Sequence, residues 1–219
     1  MQTLVKETHI WLSVPVLEFP AIGQPKDRRM RFILRYFLPG LAGLLVGPLL
    51  MLVVFVSATA ITIEGWTSNW DIGSSQANPY LRTYVAVYGL LALSKEEAVY
   101  FNRSTDDAGD PLSEACDYAV TGTDLPAAWW SLTLYDKRGY LPENTDQALS
   151  FDATQAGQGG WRVLLSATRP AEAAHWISSH KSETFDLTLR LYKPSEALLA
   201  QPSVHLRPPS ITKLQCTGV

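Results

Sequence analysis

From Tyr36 to Ile63 the chain carries no charged residue, and this run of 28 residues limits the possible folds more than any other feature. Wound as a helix it is about 42 Å long at ~1.5 Å per residue, whereas a bilayer core needs only ~20 residues. The run therefore crosses a membrane as a single transmembrane helix, with length left for tilt or a flanking turn. Pro48 lies near its middle and removes one backbone donor, which predicts a kink that membrane helices tolerate. Trp66 and Trp70 come directly after it, and beside a span they read as anchors in the headgroup layer. Gly43 and Gly47 form a small-xxx-small pair that lets another helix approach, a route to a homo-oligomer. The plainer reading is that glycine is common in membrane helices.

Charge gives the span a direction. Residues 1–36 hold six basic residues (Lys6, Lys26, Arg28, Arg29, Arg31, Arg35) against three acidic ones (Glu7, Glu18, Asp27). The remainder holds twelve basic against eighteen acidic, so the chain runs from net +3 through an uncharged span to net −6. The positive-inside rule keeps the N-terminus in the cytoplasm and exports the residues beyond Ile63. This divides the chain into a cytoplasmic arm (1–30), an anchor (31–64) and an exported domain (65–219). A cleaved signal peptide is the rival reading, because Ala58-Thr-Ala60 has a small-x-small form and Met30 would give a short n-region. The apolar run exceeds the ~7–15 residues of a usual h-region, which favours the uncleaved anchor. The acidic body excludes nucleic acid as a partner, since that needs clustered Lys and Arg.

The 155 residues from Gly65 to Val219 suffice for one domain with a sizeable core. After Asn78-Pro79, the residues Leu81, Tyr84, Val85, Tyr88, Leu91 and Ala92 keep helical spacing. Beyond Glu97 the period becomes two. Strands are expected over 98–102, 118–121, 129–135, 161–167, 185–192 and 210–215. Asp106–Pro111, Asp136–Gly139 and Gly157–Gly160 separate them as turns, the last as a hairpin. Phe185, Leu187, Leu189 and Leu191 alternate with Asp186, Thr188, Arg190 and Tyr192, which sends a leucine row inward. Trp130, Leu132 and Leu134 do the same, opposite Trp129, Ser131, Thr133 and Tyr135. The pattern predicts a mainly β domain, an antiparallel sandwich or jelly-roll-like fold with one N-terminal helix. A smaller α+β sheet with the helix across one face is the alternative.

Several stretches in order resemble one family: Gly65-Trp66, Asn78-Pro-Tyr80 with Arg82, Glu97-Ala-Val-Tyr-Phe101, Leu125-Pro126, Trp129-Trp-Ser-Leu-Thr-Leu-Tyr-Asp136 with Leu141 and Asn144, and Phe185-Asp-Leu-Thr-Leu-Arg-Leu-Tyr192 with Pro194. Together they resemble the domain-of-unknown-function 1214 family in its short, membrane-anchored bacterial form. The chain departs from it at His175-Trp-Ile-Ser-Ser179, where relatives often carry Trp-Leu-Pro. The resemblance implies a β-rich domain that often pairs with a domain of unknown function 1254, in the same chain or in a companion protein. With the charge split added, a bacterial chain of this form is expected in the inner membrane with its β-rich domain in the periplasm. The resemblance carries over no catalytic residue.

Cys116 and Cys216 are the only cysteines, both on the exported side. A disulfide between them is expected in an oxidising compartment; the alternative is two unrelated thiols. His175 and His180 lie five apart with only Glu172 nearby, too few ligands for zinc, so a solvated loop is expected. Asp106, Asp107 and Asp110 lack the calcium-loop register and read as a tight turn. Gly157-Gln-Gly-Gly160 lacks the Lys-Ser/Thr of a phosphate loop. No motif of a nucleophile elbow, zinc protease or dithiol centre occurs, and neither a metal nor a cofactor is expected.

One constellation points to recognition: Ser131, Thr133 and Tyr135 with Thr188, Arg190 and Tyr192. On neighbouring strands they surround one cation with hydroxyls and rings, suited to an anionic or sugar-like ligand. Ordinary cross-strand packing on a solvated face is the plain alternative. Two functions fit these features. The first is a non-catalytic cell-envelope interaction module that binds a companion membrane protein. The second is a periplasmic enzyme or binding domain for a small molecule, lipid or glycan.

Overall fold

A computed structural model describes residues 31–58, 60–75, 77, 79–88, 93–171 and 173–216. The expected cytoplasmic arm (1–30), Met30, Glu172 and the end of the helix predicted after Asn78-Pro79 lie outside the described residues. The chain divides into two compact units, residues 1–49 and 50–219, described separately.

The described residues of the first unit, 31–49, are helical. A π-turn at Ile33–Phe37, closed by the Leu38 N–H on the Ile33 carbonyl, leads into α1 (Leu38–Ala58), which contains Pro48. The stretch Ile33–Leu50 has a mean hydropathy of 1.6 and is exposed throughout, so it is long and apolar enough for a membrane anchor or a signal sequence. Gly43 and Gly47 have open space where a Cβ would stand.

The apolar run does not end as one element. Its last four residues form strand β1 (Ala60–Ile63), which pairs antiparallel with β2 (Trp66–Asn69) through a turn at Glu64-Gly65. The β domain therefore begins at Ala60, inside the segment assigned to the anchor. Trp66 is fully buried and donates its indole N–H to the Pro209 carbonyl at 2.9 Å, while Trp70 packs against the same core. The structure thus gives Trp66 a place in the core and leaves Trp70 half-buried at its edge. Indole suits a headgroup layer and a sheet core alike, and the β1–β2 pairing turns Trp66 inward.

After α2 (Pro79–Tyr88) come β3 (Ala98–Arg103), β4 (Cys116–Gly122), β5 (Ala127–Asp136), β6 (Ser150–Asp152), the single-turn α3 (Ala153–Ala156), β7 (Trp161–Ser166), β8 (Trp176–Ser178) and β9 (Phe185–Pro194). Two short helices, α4 (Glu196–Ala200) and α5 (Pro202–His205), precede β10 (Ser210–Cys216). All six predicted strands are present. The strands form a six-stranded antiparallel sheet, β1-β2-β3-β9-β5-β6, and a four-stranded sheet, β10-β4-β7-β8. In the smaller sheet β7 and β8 run parallel, so the domain is mainly β and sandwich-like but mixed. Two sheets around one core exclude the single-sheet α+β alternative.

Leu187, Leu189, Leu191, Leu132 and Leu134 from the large sheet meet Tyr118, Val120, Val163, Leu165 and Ile177 from the small one, all fully buried. Each such leucine contributes about 1.5–3 kcal/mol relative to exposure. The turns Asp106–Asp110 and Asp136–Tyr140 share one construction. In each, the Asp carboxylate accepts the N–H groups two and four residues on. A glycine supplies the left-handed residue in both, Gly109 at φ 90° and Gly139 at φ 80°. The segment Gly157–Gly160 is not a hairpin: it leads from α3, capped by Asp152 and Gln155, into β7 of the other sheet. The segment read as a solvated loop between His175 and His180 contains β8, too short at three residues to show a period.

Candidate functional site

The outward face of the large sheet assembles the predicted row. Strand β9 lies between β3 and β5, which sets Arg190 opposite Tyr100 on one side and Ser131 on the other. Thr188 falls between Asn102 and Thr133, and Tyr192 between Ala98 and Trp129. Arg190 donates from Nη1 to Thr133 Oγ1 at 2.9 Å and from Nη2 to the Tyr135 hydroxyl. Its guanidinium carbon stands 5.3 Å from the Tyr135 ring centre and 5.9 Å from that of Tyr100. Thr188 donates to the Asn102 side-chain carbonyl at 2.7 Å, and Tyr192 packs on Trp129 at 5.4 Å between ring centres.

Arg190 thus stands half-buried in a frame of hydroxyls and rings, while Ser131 and Thr133 at its base are each only 8% exposed. No carboxylate pairs with it among the described residues. Guanidinium has five N–H donors, and the two bonds above leave three for an oxyanion. Burial pushes the Tyr100 phenol up from its ordinary value, with Tyr192 adding to the shift and Arg190 opposing it, so Tyr100 remains a donor at neutral pH. The six predicted residues share one face, but only Arg190, Thr133 and Tyr135 bond to one another. Sequence reasoning missed Tyr100 and Asn102, because alternation reveals which way residues point but not which strands are neighbours.

Other candidates have structural roles. Cys116 and Cys216 face each other across β4 and β10 and form a disulfide. Asp106 is buried, its carboxylate 3.2 Å from Lys213 Nζ, while Asp107 pairs with Arg103 at 3.0 Å and Asp110 with Lys213 at 2.5 Å. Each carboxylate of the acidic turn is paired within the protein, the three sharing two cations, Arg103 and Lys213. His175 lies against Phe151, 4.9 Å between ring centres, and His180 Nδ1 is 3.7 Å from Asp146. Ser178 is fully buried and donates to Asp146 at 2.6 Å, not to an imidazole, so this trio lacks the geometry of an activated nucleophile. No group of three or more metal-ligating side chains occurs among the described residues.

Comparison with known proteins places the central part of this architecture. The family model described as "Protein of unknown function (DUF1214)" matches residues 97–196, from the edge of β3 to the start of α4. No curated protein matches the chain. The crystal structure of a protein from Vibrio parahaemolyticus is 20% identical at a TM-score of 0.52, covering 64% of this chain and 36% of that one. The chain thus spans about a third of that protein's length, and the likeness shows the fold alone. An uncharacterised protein from Burkholderia cenocepacia is 15% identical at a TM-score of 0.41, covering 54% of this chain and 30% of that one. The WSLTLYD and LTLRLY strands that build the Arg190 face lie inside the segment, residues 97–196, to which the DUF1214 family model is similar.

Proposed function

We infer that the chain is a non-catalytic cell-envelope recognition module, held at the bacterial inner membrane by α1 with its β domain in the periplasm. The Arg190 face docks an acidic group of a companion membrane protein. The observation that carries this reading is a half-buried guanidinium with no carboxylate partner among the described residues, framed by Tyr100, Thr133 and Tyr135. An arginine so held loses little side-chain freedom on binding and offers its remaining donors in a fixed plane. The resemblance to the 1214 family supplies the companion's class, a protein with a domain of unknown function 1254. Gly43 and Gly47 provide a face on which α1 accepts another membrane helix, from a companion or a second copy.

The test is purification of the full chain from native membranes in mild detergent, as wild type and as Arg190→Ala. A stoichiometric companion retained by the wild type and lost by the variant supports the reading. A wild-type protein that emerges alone refutes it.

A further inference from the structure

At the seam between the two sheets lies a cleft of about 240 Å³, distant in role from the Arg190 face. It forms where the edge strands β6 and β8 meet, a junction closed by the Ser178 N–H on the Ala148 carbonyl at 2.6 Å. We propose that this cleft binds one pyranose ring, with preference for a sugar that carries a carboxylate.

Three properties support this. First, the cleft has a fixed aromatic wall in the half-buried Trp176, backed by the buried Phe151, which Trp130 and Trp161 hold with ring centres 5.8 and 5.6 Å away. Trp176 donates its indole N–H to the Ser166 carbonyl and hydroxyl, each at 3.1 Å. With that donor used, the Trp176 ring has only apolar surface for a ligand, as the C–H face of a sugar requires. Second, the polar groups are planar and capable of bridging adjacent hydroxyls. Gln155 is oriented by accepting the Asp152 N–H at 3.1 Å, which leaves its amide NH2 to donate. Gln147 lines the cleft beside it and carries a second side-chain amide. Third, Arg169 lines the cleft and forms no ion pair among the described residues, while the lining carboxylate of Asp146 accepts from Ser178 at 2.6 Å with His180 3.7 Å away, so the free guanidinium favours a carboxylate on the sugar. The volume lies below the ~300–1,000 Å³ of drug-sized pockets and suits a single ring.

The cleft is independent of the companion-docking reading, and the test separates them. The full chain, in a detergent without a sugar headgroup, is titrated with glucuronate, glucose and acetate while the Trp176 indole N–H resonance is followed by NMR. Trp176→Phe assigns that resonance among the seven tryptophans. Saturable shifts are expected with glucuronate in the millimolar range and with glucose more weakly. Arg169→Ala should weaken glucuronate about tenfold while leaving glucose unchanged. Gln155→Ala should weaken both, and Arg190→Ala neither. Both cleft residues are exposed, so their variants retain the fold. No saturable shift with either sugar, or an acetate response equal to that of glucuronate, overturns the proposal.

Discussion

Arg190 and Thr133 are joined by a 2.9 Å hydrogen bond that runs diagonally across β9 and β5, two register pairs away from Ser131, the residue directly opposite Arg190. The diagonal draws the guanidinium along the strand toward Tyr135 and leaves its outer edge toward solvent. Arg190→Ala should lower stability by only about 1 kcal/mol, the net value of such bonds at a half-exposed site. Arg190→Lys should keep the fold and the charge yet lose the companion, because an ammonium cannot reproduce the planar fork. Urea denaturation and co-purification measured on the same samples separate the two effects.

The Cys116–Cys216 bond joins residues 100 apart in sequence, at the start of β4 and the end of β10. β10 is an edge strand that pairs with β4 in the sheet formed by the described residues, and the bond pins its far end. On the chain-entropy model a loop of this length contributes up to about 4–5 kcal/mol. The double replacement Cys116→Ser with Cys216→Ser should cost about 2–4 kcal/mol. Hydrogen exchange should show the loss first at 212–216. Equal stability with and without reductant would contradict this.

Much of the sandwich is readable from strand alternation, and the unread part has specific causes. The leucine rows of β5 and β9 are legible because every second residue is apolar along most of each strand, beyond what a turn or loop sustains. β1 is hidden because Ala60–Ile63 continues the apolar run of α1 without a charged break. β6 and β8 are three residues each, shorter than any period can declare. The Arg190 row is visible from β5 and β9 alone, whereas Tyr100 enters only through the order β3-β9-β5, which depends on chain crossovers. The cleft between β6 and β8 is illegible for the same reason, since its walls come from edges of different sheets.

Trp66 separates the two readings of the segment after α1. Buried in the core with its N–H on Pro209, it should cost about 3–5 kcal/mol when replaced by alanine. Trp66→Phe should cost less but still leave the Pro209 carbonyl without its donor. A headgroup anchor would show almost no loss of domain stability in either variant, so thermal or urea unfolding decides between them.

Asp106 should make the fold sensitive to acid. Burial works to raise its pKa, but the Asp110 N–H, Lys213 and the Ala108 N–H outweigh it and hold the carboxyl below its ordinary value. A lowered folded pKa means stability that is present above the unfolded value of about 3.9 and lost as pH falls through the folded value. Asp106→Asn should therefore be less stable than wild type at pH 7. The two stability curves should converge as the wild-type carboxyl protonates. Curves that stay parallel down to about pH 2 would assign the acid sensitivity elsewhere, Asp136 first, since its carboxyl is lowered in the same way by Tyr140 and Arg138.

Gly122 is the position where the smallest change should reach furthest. It pairs directly with Trp161, and a Cβ there would come within 2.3 Å of the indole ring. The ring cannot easily retreat, because its N–H is bonded to the Thr123 carbonyl at 3.0 Å and its far face stacks on Trp130 at 4.8 Å. Gly122→Ala should thus cost about 1–3 kcal/mol through overpacking. The displaced Trp161 presses on Phe151, which lines the β6–β8 cleft, so the Trp176 indole resonance should shift although residue 122 lies outside that cleft. Unfolding measurements together with that resonance check both halves. A destabilised variant whose Trp176 signal stays unmoved would show that the aromatic cluster absorbs the strain before it reaches the cleft.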